Sequence, residues 1–399
     1  MSPESNSRVE LPLATSTWDE AEYAAIQAVI AGDRFTMGPE VAAYEREFAQ
    51  HFGARFGVMV NSGSSANLLA VAALVVDPRF ALQRGDEVIV PAVSWATTYF
   101  PLAQYGLKLV FVDVDISTLN IDVAQVREAI TPRTRAIFAV NLLGNPAELT
   151  VLRSIAVEHD LVLLEDNCES LGAMLDGKAA GTFGLMGTFS SFFSHHISTM
   201  EGGMILTDDE QLSQELTSLR AHGWTRELPD DNLVHSKSGD PLEDLFRFVL
   251  PGYNVRPLEM SGAIGREQVR KVPSIVRGRR QNAESFKDAF ADCEHVLIQE
   301  ERGESSWFGF SMVLNGALAG RRAEVANAFR EAGVDVRPIV GGNFTKNPVM
   351  SYLDAIVPND LPVADRVHED GLFIGNHHFP INEQIRAVRK IVDRVADGN

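Results

Sequence analysis

Phe56-Gly-Val-Met-Val-Asn-Ser-Gly-Ser-Ser-Ala-Asn67 runs from a short β-rich stretch through a turn of small residues into an apolar, helix-like segment, Ala66–Val76. Further along the chain the β-rich runs are DEVIVPA (86–92), KLVFVDVD (108–115), TRAIFAVN (134–141), LVLLED (161–166) and MGTFSSFF (186–193). Helix-like Val123–Ala129 and Leu149–Glu158 fall between them. Strand and helix in alternation imply an α/β fold with a mostly parallel sheet covered on both faces. Ligands of such sheets gather at the carboxyl ends of the strands. Past Leu206 the pattern predicts a helix over Asp209–Ala221, a polar loop over Glu227–Glu243, the non-periodic FRFVLPGYNVRP (246–257) and a helix over Glu259–Lys271. Ser306–Leu314, a helix at Arg322–Ala332 and a terminal helix from near Asn382 read as a smaller α/β unit.

With 399 residues, 45% of them hydrophobic, the chain is long enough for two packed domains. A formal net charge of -19 speaks against nucleic acid as a partner, because contacts to a polyanion need clustered Lys and Arg. No stretch approaches the roughly 18 consecutive apolar residues of a membrane span, and the N-terminus lacks a signal-peptide layout, so the expected location is cytoplasmic. Two cysteines, Cys168 and Cys293, provide neither a disulfide framework nor the ligands of a zinc or iron–sulfur site, and both read as packed thiols.

The small residues around Gly63 and Ser64 let backbone N–H groups approach an anion at a helix N-terminus; the plainer reading is a capped helix start. Asp166, ending LVLLED, is placed to pair with a protonated pyridine nitrogen, or else to cap a turn. Trp95, after DEVIVPA, can stack on an aromatic ring or fill a core. The third piece is Phe189-Ser-Ser-Phe-Phe-Ser-His-His-Ile-Ser-Thr-Met-Glu-Gly-Gly-Met204. Fold-type I pyridoxal-phosphate enzymes carry S-F-x-x-x-K there, with Gly-Gly shortly after. Here the lysine position is His195 and the glycines are Gly202 and Gly203. Imidazole moves protons near neutral pH but cannot hold an aldehyde cofactor covalently. The expected working form is therefore pyridoxamine phosphate, bound without a covalent link, and the expected chemistry is loss of a hydroxyl next to a ketone.

NSGSSANLL, LLEDNCES, SHHISTMEGG, FVLPGYNVRP and RPIVGGNF, among stretches spread over the whole chain, resemble the DegT/DnrJ/StrS sugar aminotransferase superfamily. The resemblance implies a fold-type I transferase, aspartate aminotransferase-like, with a large cofactor-binding domain over 1–250 and a small C-terminal domain over 251–399. It implies that Gly63, Ser64 and Ser190 hold the cofactor phosphate, Trp95 stacks on the ring, Asp166 pairs with the ring nitrogen and Glu169 sits near the ring hydroxyl. His195 would be the base. It further implies a homodimer in which Asn254 reaches across to the partner's phosphate, with Phe246 and Arg256 on the same donated segment. His222 and Arg226, in RAHGWTR, are candidates for substrate contact. Within the family the match is to a dehydratase branch that uses pyridoxal and pyridoxamine phosphate, L-glutamate and a GDP-linked 4-keto-6-deoxy sugar. A related branch adds an iron–sulfur cluster, which needs about four cysteine ligands, and this chain has two cysteines. His196 is assigned a structural role, on the expectation that neighbours on a strand face opposite ways. Two other readings stay open: a nucleotide-sugar aminotransferase, and a non-catalytic cofactor-binding protein.

Overall fold

The computed structural model describes residues 9–398. Its main sheet contains β1 (Phe56–Val60), β2 (Glu87–Pro91), β3 (Lys108–Val112), β4 (Thr134–Val140), β5 (Val162–Asp166), β6 (Met186–Ser190), β7 (Gly203–Thr207) and β8 (Ala355–Ile356), in the spatial order β1-β7-β6-β5-β4-β2-β3-β8. All pair in parallel except β7, which runs antiparallel to both β1 and β6. The strands of the middle are buried on both faces, as their unbroken Val, Ile, Leu and Phe runs require. The sheet is mostly parallel, as the alternation of elements predicts. β7 itself does not stand out in the sequence, because its entry through Gly202 and Gly203 lacks the β-branched signature of a strand.

Helix Gly63–Val76 packs Leu69, Ala70 and Ala73 into one face of the sheet, and helix Leu149–Glu158 packs Leu152 and Ile155 into the other. A second, four-stranded sheet, ordered Val296–Ile298, Gly309–Leu314, Gly371–Gly375 and Val336–Arg337, carries its own core around Phe286, Phe310, Phe329 and Ile391. The helix expected over Glu259–Lys271 instead runs to Phe290, straight through Pro273. An interior proline costs a helix about 3 kcal/mol. Beyond it, however, the helix buries Ile275, Val276, Phe286 and Phe290, each contributing about 1.5–3 kcal/mol. Packing therefore overrides the local break. The first half of this helix joins the core of Val269 and Val272, and its second half the core of Phe286 and Phe290.

Candidate active site at the strand ends

Helix Gly63–Val76 begins as soon as β1 ends, and Ser62 caps it with a hydroxyl that accepts from the Ser65 N–H at 3.1 Å. The free N–H groups of that first turn are the natural seat of an anion. Two close approaches shape the seat. A Cβ on Gly63 would stand 2.7 Å from Ser190 Cβ and 2.9 Å from Cys168 Sγ, and one on Gly203 would stand 2.2 Å from the Ser62 carbonyl oxygen. The ends of β6 and β7 thus close on the helix start and bring Gly63, Ser64 and Ser190 together, with Ser64 exposed.

Asp166 ends β5 beneath the same edge and is buried. Its Oδ2 accepts from Asn67 Nδ2 and Thr98 Oγ1, each at 2.8 Å, and its Oδ1 accepts from the Cys168 N–H at 3.2 Å. Thr188 Oγ1 donates to Asn67 Oδ1 at 2.6 Å, which fixes the amide so that its nitrogen faces the carboxylate. The charge is therefore oriented by neutral donors and has no cationic partner among the described residues. Asn67, Thr98 and Thr188 are absent from the sequence-derived site. A signal for two of them exists: Asn67 follows Gly63 by one helical turn, and Thr98 follows Trp95 by three residues.

Trp95 precedes helix Ala96–Gln104 and is 60% exposed, so the core reading of this residue fails. Glu169 Oε2 accepts from the Leu143 N–H at 3.1 Å. Burial, and less strongly the charge of Asp166, push its carboxyl up to about 7 despite that hydrogen bond. Leu143 makes this contact from a left-handed conformation, φ 53°, which for a non-glycine residue costs on the order of 1–3 kcal/mol and is typical of functional sites.

β6 stops at Ser190, so His195 lies in a turn and not on a strand. The alternation used to separate His195 from His196 therefore does not apply; burial separates them instead. His196 is fully buried, and its Nε2 lies 3.0 Å from the Ser306 carbonyl, which can only accept, so that nitrogen carries the proton. His195 is part-exposed, its Nδ1 buried without a partner and its ring edge-on to Phe308 at 5.2 Å. Burial, with a smaller contribution from the Arg279 charge, pushes its pKa down to about 4. At neutral pH the imidazole is uncharged and able to accept a proton.

The remaining candidates form a second group. His222, Arg226, Phe246 and Arg256 surround Trp224, at 4.7, 5.9, 6.3 and 5.8 Å from its ring. Arg256 Nε donates to Asn254 Oδ1 at 3.0 Å, and Asn254 is exposed. The two groups meet where the Asn61 N–H donates to the Val255 carbonyl at 3.0 Å, beside the anion seat. A cleft of about 810 Å³ opens elsewhere, between Gln50–Gly53, Lys178 and the middle of the long helix, and no candidate residue lines it. Among the described residues no cluster of His, Cys, Asp or Glu is placed to hold a metal, and no helix is long and apolar enough to cross a membrane.

Residues 16–393 match the DegT/DnrJ/EryC1/StrS aminotransferase family. The chain belongs to that family. GDP-4-keto-6-deoxy-D-mannose 3-dehydratase of Yersinia pseudotuberculosis is 54% identical over 388 residues, covering 97% of this chain and 99% of the relative. The structure of E. coli GDP-4-keto-6-deoxy-D-mannose-3-dehydratase with bound hydrated PLP superposes with a TM-score of 0.94 at 53% identity, over 96% of this chain and 100% of that one. A structure of GDP-4-keto-6-deoxymannose-3-dehydratase with a trapped PLP–glutamate geminal diamine gives the same TM-score, identity and coverage. The fold is that of the fold-type I pyridoxal-phosphate enzymes.

Proposed function

We propose that this chain is a pyridoxal-phosphate-dependent dehydratase that removes the C3 hydroxyl of GDP-4-keto-6-deoxy-D-mannose. L-Glutamate is the amino donor, and the products are GDP-4-keto-3,6-dideoxy-D-mannose, 2-oxoglutarate and ammonia. The residues fit the cofactor on three counts: an anion seat closed by glycines, an oriented carboxylate without a cationic partner, and an exposed tryptophan at the same sheet edge. When bound, the cofactor supplies an electron sink conjugated to the reacting carbon and, in its amino form, the nitrogen that engages the sugar ketone.

Gly63, Ser64 and Ser190 bind the phosphate, and Trp95 covers the ring. Asp166, aimed by Asn67 and Thr98, holds a proton on the ring nitrogen. Glu169, its carboxyl pushed up to about 7 by burial and by Asp166, is assigned the proton shared with the ring hydroxyl. His195, neutral at working pH, takes and returns the proton at the carbon attached to the ring. Asn254, Phe246 and Arg256 lie on an exposed segment and complete the site of a partner subunit in a homodimer, and His222 and Arg226 contact the sugar nucleotide. Two freely soluble substrates fit a cytoplasmic enzyme that supplies a deoxysugar, of the colitose type, for a cell-surface polysaccharide.

The observation that carries the proposal is an imidazole, its Nδ1 buried and without a partner, at the lysine position of the family's strand-end pattern. The test is to incubate the protein with cofactor, L-glutamate and GDP-4-keto-6-deoxy-D-mannose and to weigh the product. Loss of one oxygen, with equal 2-oxoglutarate and ammonia released, is expected. An amine retained on the sugar would instead mean an aminotransferase, and cofactor binding without 2-oxoglutarate a non-catalytic protein.

A further inference from the structure

Arg279 is a buried cation without a counter-ion. It lies on the long helix and is 4% exposed, and no carboxylate comes within ion-pair distance of it among the described residues. Its Nη1 donates to the carbonyls of Trp307 at 3.3 Å and Phe308 at 2.9 Å, while its Nε has no partner. An unpaired guanidinium held this way costs several kcal/mol of desolvation that the rest of the fold must offset. What it grips is strained. Trp307 has a φ of 48°, and Leu143, on the segment opposite, one of 53°. The two segments are laced together: the Phe308 N–H donates to the Leu143 carbonyl at 3.0 Å, and the Ser306 N–H to that of Gly144 at 2.8 Å. Gly144, φ 97°, must be glycine, since a Cβ there would stand 2.4 Å from the Trp307 nitrogen.

This ladder touches the site at both ends. The Leu143 N–H reaches Glu169, and the Phe308 ring packs against His195 at 5.2 Å and His196 at 5.6 Å, with His196 also bonded to Ser306. We infer that Arg279 is a positioning residue for His195: it fixes the Trp307–Phe308 turn that sets the Phe308 ring against the imidazole, and its uncompensated charge bears on that same imidazole. The inference rests on His195 being the base of the proposed reaction.

The charged and titratable groups that act on the imidazole or share its turn are Arg279 from the long helix and His196, while His377 and His378, after strand Gly371–Gly375, feel the same Arg279 charge. All four histidines are held below their ordinary value, by burial first and Arg279 second. Asp166 acts on Glu169 and is not among the groups that move His195.

The test uses the full chain and three variants. Arg279→Gln removes the charge but keeps an N–H for the carbonyls, Arg279→Lys keeps the charge but not the fork, and Phe308→Leu removes the ring. The titration of His195 is followed in the cofactor-free protein by exchange of its C2 hydrogen, read by mass spectrometry, so that it does not depend on turnover. In Arg279→Gln the midpoint should rise by about one pH unit, a tenfold change in the protonation equilibrium, and the acid limb of kcat should rise with it while pyridoxal phosphate affinity holds. Arg279→Lys should keep the wild-type midpoint, and both it and Phe308→Leu should lower kcat about tenfold through misplacement of the base. An unmoved His195 midpoint in a folded Arg279→Gln protein overturns the electrostatic part, and cofactor affinity lost in step with kcat reduces Arg279 to a structural role. Should Arg279→Gln fail to fold, wild-type kcat in Phe308→Leu overturns the positioning. A wild-type protein that titrates His195 as described yet does not dehydrate the sugar would instead overturn the functional reading.

Discussion

Replacing Gly203 with alanine tests whether the turn at Ser62–Gly63 is the phosphate seat. The added Cβ would stand 2.2 Å from the Ser62 carbonyl oxygen, 2.4 Å from its carbon and 2.8 Å from the Gly63 nitrogen. Ordinary contact begins near 3.4 Å, so the nearest atom must retreat by 3.4 − 2.2 = 1.2 Å. All three atoms are main chain, and Gly203 is paired with Val60 at the end of β1, so the movement cannot be absorbed by a side chain. Overpacking of this kind costs about 1–3 kcal/mol of stability. The same shift moves the helix-start N–H groups by about 1 Å relative to a bound phosphate, enough to lose one or two charge-assisted hydrogen bonds of about 1.5–3 kcal/mol each. With 1.4 kcal/mol per factor of ten, the Kd for pyridoxal phosphate should rise at least about tenfold, and toward a hundredfold or more if both bonds go. Absorbance titration of the cofactor-free protein gives the Kd, and thermal melts run in parallel give the stability loss. Gly63→Ala should act in the same direction, because its Cβ would stand 2.7 Å from Ser190 Cβ and 2.9 Å from Cys168 Sγ on the other side of the same turn. A Gly203→Ala protein with a lowered Tm but wild-type cofactor affinity would refute the placement of the phosphate at this turn.

Asn67→Leu and Thr98→Val each strip a donor from Asp166 Oδ2; a loss of about 1–3 kcal/mol in cofactor binding is expected for each by titration, and an unchanged Kd in both would remove their orienting role. Glu169, titrating at about 7 against an ordinary 4.5, holds a proton in the folded chain that the unfolded chain has lost. Its protonation therefore favours the folded state below about pH 4.5, and that advantage drains away as pH rises toward 7. Glu169→Gln should flatten any limb of the kcat profile near pH 7, and a persisting limb assigns it to another group. His195 runs the other way. The unfolded chain takes up its proton near pH 6.5 and the folded chain only near 4, so stability is intact above 6.5 and falls as pH drops through that window. The full shift corresponds to at most about 3 kcal/mol, discounted because the ring is part-exposed. Urea unfolding from pH 7.5 to 4.5 should show a shallower loss in His195→Asn than in the wild type, and parallel slopes would contradict the lowered pKa.

The alternation of apolar runs and helix-like segments determined the sheet and its largely parallel pairing, because burial on both faces writes itself into every strand. It also put Asp166 at a strand end, and it exposed His195 as a substitution within a recognisable stretch. Two cysteines settled that no four-cysteine cluster could be built from one chain. These are local features, readable within a window of a few residues. What no window contains is the meeting of distant parts. Asn67 reaches Asp166 across 99 positions of sequence, and β7 returns against the helix start so closely that only glycine fits. The long helix runs on through Pro273 because two cores lie along it. His195 is held below the ordinary histidine range by burial and, less strongly, by a lone guanidinium from another element, neither of which its neighbours in sequence encode. Residue spacing supplies the chemical groups, but desolvation and uncompensated charge, which decide their protonation, exist only once the chain has closed around them.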